Sequence, residues 1–449
     1  MSSTFLSALP LVFVLTGVVL YAVLAGADLG AGFWQLFAGR GRQGEEIREH
    51  AHHSMAPVWE ANHVWLIFVL TVFWTAYPTA FGSIASTLAI PLFLAGIGIV
   101  FRGAAYALRV GASTPRELGV IDTIFSLSSI LTPFALGAMV GAIATGRVPV
   151  GNAAGDRFSS WLNATSILVG VLAVATSGYL AAVYLAADAA RRDERGIERA
   201  FRARALGAGA VAGGLALAGI VVVRYEAHSF YDGLVSGRAL PAVIVSALAG
   251  LATLALVYRR RFEAARYGAS LAVAAVVAGW ALAQWPTILP GLDVRQAAAP
   301  HDTLVAVVVA VLGGGAIVFP SLAVLFRLTL AGRFDEGSHP LTAPSSHRRP
   351  GPRQAPLART AVACVIVGFG LLTVANAGWA HAVGVIALFA FVVAGFLALV
   401  PGDGIPREGE RIVHSHEPDD GPGAPSRWPA RKRTCVRIYI GRRAARHRR

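Results

Sequence analysis

Charged residues are scarce in this sequence, and cysteine is scarcer still. Only 14% of the 449 residues are charged, whereas 55% are hydrophobic, and soluble globular domains do not have this composition. The two cysteines, Cys364 and Cys435, lie far apart and form no metal or redox motif, which excludes a disulfide framework. The first apolar stretch, starting near Phe5, lacks a basic segment and a cleavage site. We therefore expect it to remain as a membrane span.

Long apolar runs predict an all-α polytopic membrane protein. In hydrocarbon every backbone amide needs a partner within its own segment, and runs of about 20 residues meet this need as helices. Hydropathy predicts a nine-helix core of packed bundles before residue 340. Its spans are residues 8–28, 58–77, 82–107, 119–143, 161–186, 205–223, 240–257, 267–285 and 304–328.

The net charge of +14 reflects topology rather than a nucleic-acid partner. Every second connection between the predicted spans is rich in arginine, and the densest of these connections is residues 187–204. The other connections hold only Arg147, Arg157, Arg224, Arg238 and Arg295. By the positive-inside rule, this asymmetry predicts that the N-terminus is outside and that the ninth span ends in the cytoplasm.

Composition changes after residue 333. We expect residues 1–333 to form the membrane domain and residues 334–359, rich in proline, serine and arginine, to form a linker. Residues 360–400 predict an additional transmembrane hairpin, and residues 401–449 a disordered, polybasic tail at the cytoplasmic face. Such a tail either lies on anionic lipid or is simply solvated.

Four ionisable residues fall within the first four predicted spans at similar depth, namely Asp28, Glu60, Arg102 and Asp122. An ionisable group in a membrane helix costs a few kcal/mol unless it is paired or wetted, roughly 2.5–3.5 kcal/mol at the helix centre on insertion scales. Each of the four therefore carries a functional hypothesis. Gly26 and Gly30, which flank Asp28, have the spacing that lets a second helix approach closely.

The stretch PVWEANHVWL places further polar residues beside Glu60. On a helix, Glu60 and His63 share one face, and Trp59 and Asn62 form a neighbouring pair. Such a string of titratable groups is what a proton relay requires, because protons cross a low-dielectric region by short hops between hydrogen-bonded groups.

Structural roles are the alternative for the same residues. Glu60 is also suited to be the N-terminal acid of its helix, stabilised by the helix dipole and paired with Arg102. A single histidine such as His63 is more often packed and hydrogen-bonded than a haem or metal ligand. For Arg109 we favour a snorkelling position at the membrane surface.

Three segments together resemble subunit II of the cytochrome bd-type quinol oxidases. They are GADLGAGFWQLFAGRG, then SMAPVWEANHVWLIFVLTVFWTAYP, and then a span containing FRGAAYALR. The resemblance covers the order and spacing of a glycine-flanked aspartate, a tryptophan–acid–asparagine–tryptophan run and an arginine in the third span. It is strong to about residue 145 and extends more weakly to about residue 333.

The resemblance implies a subunit of an enzyme of the bacterial inner membrane that oxidises quinol and reduces dioxygen to water. In that family, subunit I carries the b and d haems, and subunit II has no haem ligands and is not active alone. The proton path from the cytoplasm then falls to Glu60, with Asp28 as a supporting polar group. Helical spacing, and not the resemblance, adds Asn62 and His63 to this path and Arg102, Asp122 and Trp59 as a supporting polar cluster. The implied partners are subunit I, quinol and membrane lipid, and family members can also hold a structural quinone.

The sequence departs from the family pattern at three positions. Glu60 stands where aspartate is common, Ala61 replaces a glycine, and His63 occupies a position often held by glutamine or glutamate. Two other functions compete with this interpretation: a proton-coupled secondary transporter that uses the same carboxylates, and a purely structural membrane subunit. Transporters tend to have broken helices near the membrane midplane, whereas the charged residues here cluster near one face.

Overall fold

A computed structural model describes residues 3–39, 41–55, 59–109, 114–330, 354–374 and 377–399. Within these ranges it does not describe the side chains of residues 3–4, 52–55, 59–61, 115, 319, 322–323, 325–330, 354–355, 358, 369, 372–374, 392 and 395–399. In chain order the elements are α1 (Ser3–Leu36), α2 (Arg42–Met55), α3 (Trp59–Ala76), α4 (Pro78–Thr87), α5 (Ala89–Arg109), α6 (Pro115–Ala144), α7 (Ala164–Arg191), α8 (Arg195–Glu226), α9 (His228–Val235), α10 (Leu240–Tyr258), α11 (Phe262–Gln284), β1 (Thr287–Leu289), β2 (Leu292–Asp293), α12 (Val294–Ala297), α13 (His301–Leu330), α14 (Gln354–Val374) and α15 (Gly378–Leu399).

The predicted all-α membrane architecture is confirmed. In the described part of the chain, eight helices are long and apolar enough to cross a membrane. The second predicted span corresponds to α3, whose apolar part, Asn62–Ala76, is shorter than the others. The count of nine spans therefore stays a prediction.

The third predicted span, residues 82–107, is not one continuous helix. It is divided at Leu88 into α4 and α5, with Leu88 in a turn. Pro91 lies four residues after Thr87 and has no N–H to donate to the Thr87 carbonyl, so the helical hydrogen-bond ladder is interrupted at this point. The expectation of a single helix was wrong because it followed hydropathy alone and gave no weight to this proline.

Helix α1 occupies the centre of the first unit, residues 1–334, where it contacts α3, α6, α7, α11 and α13. Small residues make these contacts close, since alanines at positions 25, 27 and 31 of α1 and 181, 182 and 186 of α7 are buried. In a membrane, close backbone approach between small residues provides the packing that the hydrophobic effect cannot provide.

Polar contacts tie the helix ends together. Where α1 begins, the Tyr77 hydroxyl donates to the Ser7 carbonyl at 2.6 Å. At the opposite end, where α1 ends and the amphipathic α2 lies, Arg202 of α8 donates to the Tyr258 carbonyl at 2.7 Å and satisfies one of the last carbonyls of α10. We call this second end, which also holds the start of α3, the α2 end.

Helices α14 and α15 belong to a second unit, residues 335–449. They pack against each other, and Gly368 of α14 lies directly against Leu388 and the Gly384 carbonyl of α15. A side chain at Gly368 would collide with this backbone, so the glycine allows the close approach of the two helices.

Candidate functional site

A buried ion pair between α1 and α5 forms the centre of the site. The Arg102 guanidinium donates to Asp28 Oδ1 at 2.6 Å and to the Asp28 carbonyl oxygen at 3.1 Å. Each of the two side chains is only 2% exposed. The pair therefore lies wholly inside the helix bundle, where its electrostatic interaction is much stronger than at a protein surface.

Helix α6 holds the guanidinium from its other side. Arg102 also donates to the Ser129 hydroxyl, and the Phe125 ring lies 4.1 Å from the guanidinium carbon. A cation over an aromatic face is stabilised by the ring quadrupole. Gly32 of α1 leaves the necessary room, since a Cβ there would overlap Ser129 and come within 2.9 Å of Arg102 Nη1.

The glycines that flank Asp28 allow α7 to approach. A Cβ on Gly30 would overlap the carbonyl of Ser177, and one on Gly26 would lie 3.2 Å from Leu180. The close approach that the Gly26–Gly30 spacing predicts is therefore confirmed. Gly26 and Gly30 lie nearly opposite Asp28 around the helix axis, so α7 covers the side of α1 that faces away from the ion pair.

Helix α3 covers α1 with Asn62 and His63. Asn62 is 1% exposed, and its side-chain amide donates to the Leu24 carbonyl at 3.3 Å. The His63 ring lies edge-on to the Tyr21 ring, with 6.2 Å between ring centroids. Both side chains thus face the interior of the bundle.

Trp59 and Glu60 are the first two residues of α3, at the α2 end, but their side chains lie outside the described part of the structure. Because residues 59–76 are helical, Glu60 lies about one turn before His63 on the same side of α3. The relay role of Glu60, His63 and Asn62 stays a prediction.

Asp122 lies apart from the Asp28–Arg102 pair. It accepts from Arg109, and the two side chains are 25% and 30% exposed. Arg109 lies two helical turns beyond Arg102 on α5. The structure therefore replaces the single expected cluster with two successive ion pairs, and Arg109, interpreted above as a snorkelling residue, has a carboxylate partner.

Sequence reasoning missed a second buried polar group, His50 of α2. Its Nδ1 lies 2.7 Å from Glu194 Oε2, its Nε2 lies 3.2 Å from the Leu185 carbonyl oxygen, and its residue is 6% exposed. Ile47 and Ala51 are buried with it. Their spacing of three and four residues marks one helix face, so the amphipathic pattern of α2 was the signal that would have found His50.

Among the described residues, no group of three or more histidine, cysteine, aspartate or glutamate side chains is placed to hold a metal ion. Both ring nitrogens of His50 already contact protein oxygens, so neither is directed at a haem iron.

Comparison with known proteins connects this geometry to one family. A family model described as cytochrome bd terminal oxidase subunit II matches residues 6–329. The cytochrome bd ubiquinol oxidase subunit 2 of Bacillus subtilis is 27% identical over 162 residues, which cover 35% of this chain and 47% of the relative. The cytochrome bd-I ubiquinol oxidase subunit 2 of Escherichia coli is 27% identical over 186 residues, which cover 38% and 47%. The chain thus spans about half the length of these relatives.

A solved structure supports the same fold. One chain of the bd oxidase from Geobacillus thermodenitrificans superposes with a TM-score of 0.61 at 12% sequence identity. The superposition covers 74% of this chain and 100% of that chain. At this identity the likeness establishes the arrangement of helices and nothing finer.

Proposed function

The chain belongs to the cytochrome bd terminal oxidase subunit II family, and from this premise we propose that it is the non-haem subunit of a membrane complex that oxidises quinol and reduces dioxygen to water. A second, haem-bearing subunit supplies the electron transfer to dioxygen. This chain supports the assembly of that subunit and takes up protons for it, and it is not active alone.

The buried Asp28–Arg102 pair is the observation that carries the proton-uptake part of the proposal. Its side chains are 2% exposed within helices long and apolar enough to span a membrane. A buried ion pair contributes little net stability compared with apolar packing, and ionisable groups in membrane helices mark ion and proton pathways. This pair therefore supports a role beyond holding helices together.

The arginine-rich loops give the proposal its direction. With the N-terminus outside and the α2 end in the cytoplasm of a bacterial cell, protons enter beside Glu60 at the start of α3. Asn62 and His63 continue inward along α3 and contact α1 at Leu24 and Tyr21. Arg102 holds the Asp28 carboxylate in one orientation, and neighbouring groups then pass protons by short hops.

Nothing in the described helices favours a transporter. The break between α4 and α5 at Leu88 lies at the end of the bundle opposite Asp28, and α1, which carries Asp28, is continuous from Ser3 to Leu36. Transporters instead unwind helices around a substrate site near the midplane. A purely structural subunit remains the competing function, and activity in the assembled complex separates the two.

Reconstitution of the complex tests the proposed function. The chain is co-expressed with its partner subunit in a host that lacks its own quinol oxidases, and the complex is purified through a tag on this chain. We expect an absorption spectrum of b- and d-type haems and quinol-dependent oxygen consumption, with neither in a preparation of this chain alone. Purification without a haem-bearing partner, or a complex that does not consume oxygen with any quinol, would contradict the proposal.

A further inference from the structure

Three buried polar atoms near the α1–α3–α5 contact have no hydrogen-bond partner among the described residues. They are the Tyr21 hydroxyl, Asp28 Oδ2 and Arg102 Nε. A buried polar group without a partner costs about 1–3 kcal/mol, and buried water molecules are the usual partners of such groups. Three of them in one region therefore indicate a hydrated interior.

Two of these atoms belong to residues of α1. Tyr21 and Asp28 are seven residues apart, so they share a face of α1 and lie about 10 Å apart along the helix. Tyr21 is near the middle of α1, which runs from Ser3 to Leu36. Tyr21 therefore lies two turns deeper in the bundle than the ion pair, on the side away from the α2 end.

Side chains of α3 bridge this interval. Asn62 donates to the carbonyl of Leu24, midway between Tyr21 and Asp28. His63 lies edge-on to the Tyr21 ring. The interval is thus lined by polar groups from two helices.

We propose that Tyr21 is a proton-relay residue that extends the path beyond Asp28 toward the middle of the membrane, through water held between the two side chains; this inference rests on the proposed function. At each passage the Tyr21 hydroxyl oxygen accepts one proton from the water on the Asp28 side and releases its own proton to an acceptor on the far side. The hydroxyl is left unchanged, and no net charge stays on it. About two or three water molecules span the 10 Å interval.

A single-atom deletion tests this proposal. Tyr21→Phe removes the hydroxyl and keeps the ring that contacts His63. In the assembled complex we expect the haem spectrum and the KM for quinol to be unchanged. The maximal rate of oxygen consumption should fall about tenfold, the scale of losing one proton-transfer group, and the solvent deuterium isotope effect on that rate should rise.

Tyr179→Phe is the matched control. Tyr179 is a buried tyrosine of α7, 6% exposed, that packs against Gly209 of α8. We expect its loss to leave both the rate and the isotope effect unchanged. A Tyr21→Phe complex that consumes oxygen within twofold of the unaltered complex, with the same isotope effect, would overturn the proposal.

A second variant decides the matter if Tyr21→Phe does not assemble. Incorporation of 3,5-difluorotyrosine at position 21 keeps the ring and the hydroxyl but makes the hydroxyl more acidic. The rate of proton transfer through a relay hydroxyl depends on its acidity, so the maximal rate of oxygen consumption and its solvent deuterium isotope effect should both change. An unchanged rate with an unchanged isotope effect would refute the relay role.

Comparison of Tyr21→Phe with Glu60→Ala distinguishes failure of the Tyr21 relay from failure of the proposed function. If Glu60→Ala slows the complex and Tyr21→Phe does not, the cytoplasmic acid is supported and the Tyr21 relay is refuted. If neither change has an effect in a complex that consumes oxygen, the chain is a subunit II without a proton role, and the relay is refuted with it.

Discussion

Removal of one partner from the Asp28–Arg102 ion pair should destabilise the protein far more than removal of both. At 2.6 Å the Coulomb attraction is about 6 kcal/mol for an effective dielectric constant of about 20. The desolvation penalty is several kcal/mol for each ion, so the net contribution of the intact pair is small. A single deletion, in contrast, leaves one charge buried without its partner, which costs about 3–5 kcal/mol.

The two single deletions should also differ from each other. Asp28→Leu leaves the Arg102 guanidinium, which cannot lose its proton, so we expect the full 3–5 kcal/mol or so. Arg102→Met leaves a carboxylate that can take up a proton, so we expect a smaller loss of about 1–3 kcal/mol. In the double variant Asp28→Leu/Arg102→Met, the loss should be smaller than the sum of the single losses by about 2 kcal/mol or more.

Unfolding of the purified complex at increasing concentrations of a denaturing detergent measures the free energy of unfolding of each variant. The matched control is the pair of Arg109 and Asp122, which joins α5 and α6 and is 30% and 25% exposed. Its coupling energy should be below about 1 kcal/mol, as for other partly exposed ion pairs. Additive single effects at Asp28 and Arg102, or a coupling energy no larger than that of the control, would refute the argument that this pair is buried and desolvated.

Two further changes test the packing around the site. Gly30→Val places a side chain against the α7 backbone and should lower the stability of the protein by about 3 kcal/mol or more, so the yield of assembled complex should drop sharply. Gly213→Val is the control, because a Cβ there meets nothing within 4 Å, and this variant should assemble normally. Equal yields for the two variants would contradict the close contact between α1 and α7. His50→Leu removes the 2.7 Å contact with Glu194, which contributes about 1.5–3 kcal/mol to stability, so the amide hydrogens of α2 should exchange faster. His228→Leu, at an exposed position, is the control and should leave exchange in α2 unchanged. Unaltered exchange after His50→Leu would show that α2 is held by other contacts.

The sequence predicted the membrane architecture, but not which of the charged residues form pairs. Alternating arginine-rich loops and apolar runs placed Asp28, Arg102 and Asp122 at similar depth, and two of these three are in contact. The depth of a residue in the membrane does not determine how its helix is rotated about its axis, nor which turn of that helix meets a neighbouring helix. The rotation and the axial position of α5 and α6 are what bring Asp122 to Arg109.

Other differences came from local signals that hydropathy does not weigh. Pro91 indicates the interruption at Leu88 through its missing N–H, although the residues on either side of this proline, 88–90 and 92–101, are apolar or glycine. His50 lies on the apolar face of α2, in a segment whose polar composition gave no reason to expect a buried residue. Tyr21 could not be singled out either, because an aromatic residue in a membrane span is ordinary until its hydroxyl proves to be buried.

The central claim is that protons for dioxygen reduction enter through the acids at the α2 end of this chain. Quinol-dependent oxygen consumption by the Glu60→Ala complex, with haem content measured in the same preparation, tests it most directly. We predict full haem content and a rate lower by about tenfold or more, restored in large part by Glu60→Asp and unaffected by Glu45→Ala on the exposed side of α2. A Glu60→Ala complex with full haem content and an unchanged rate would contradict the account.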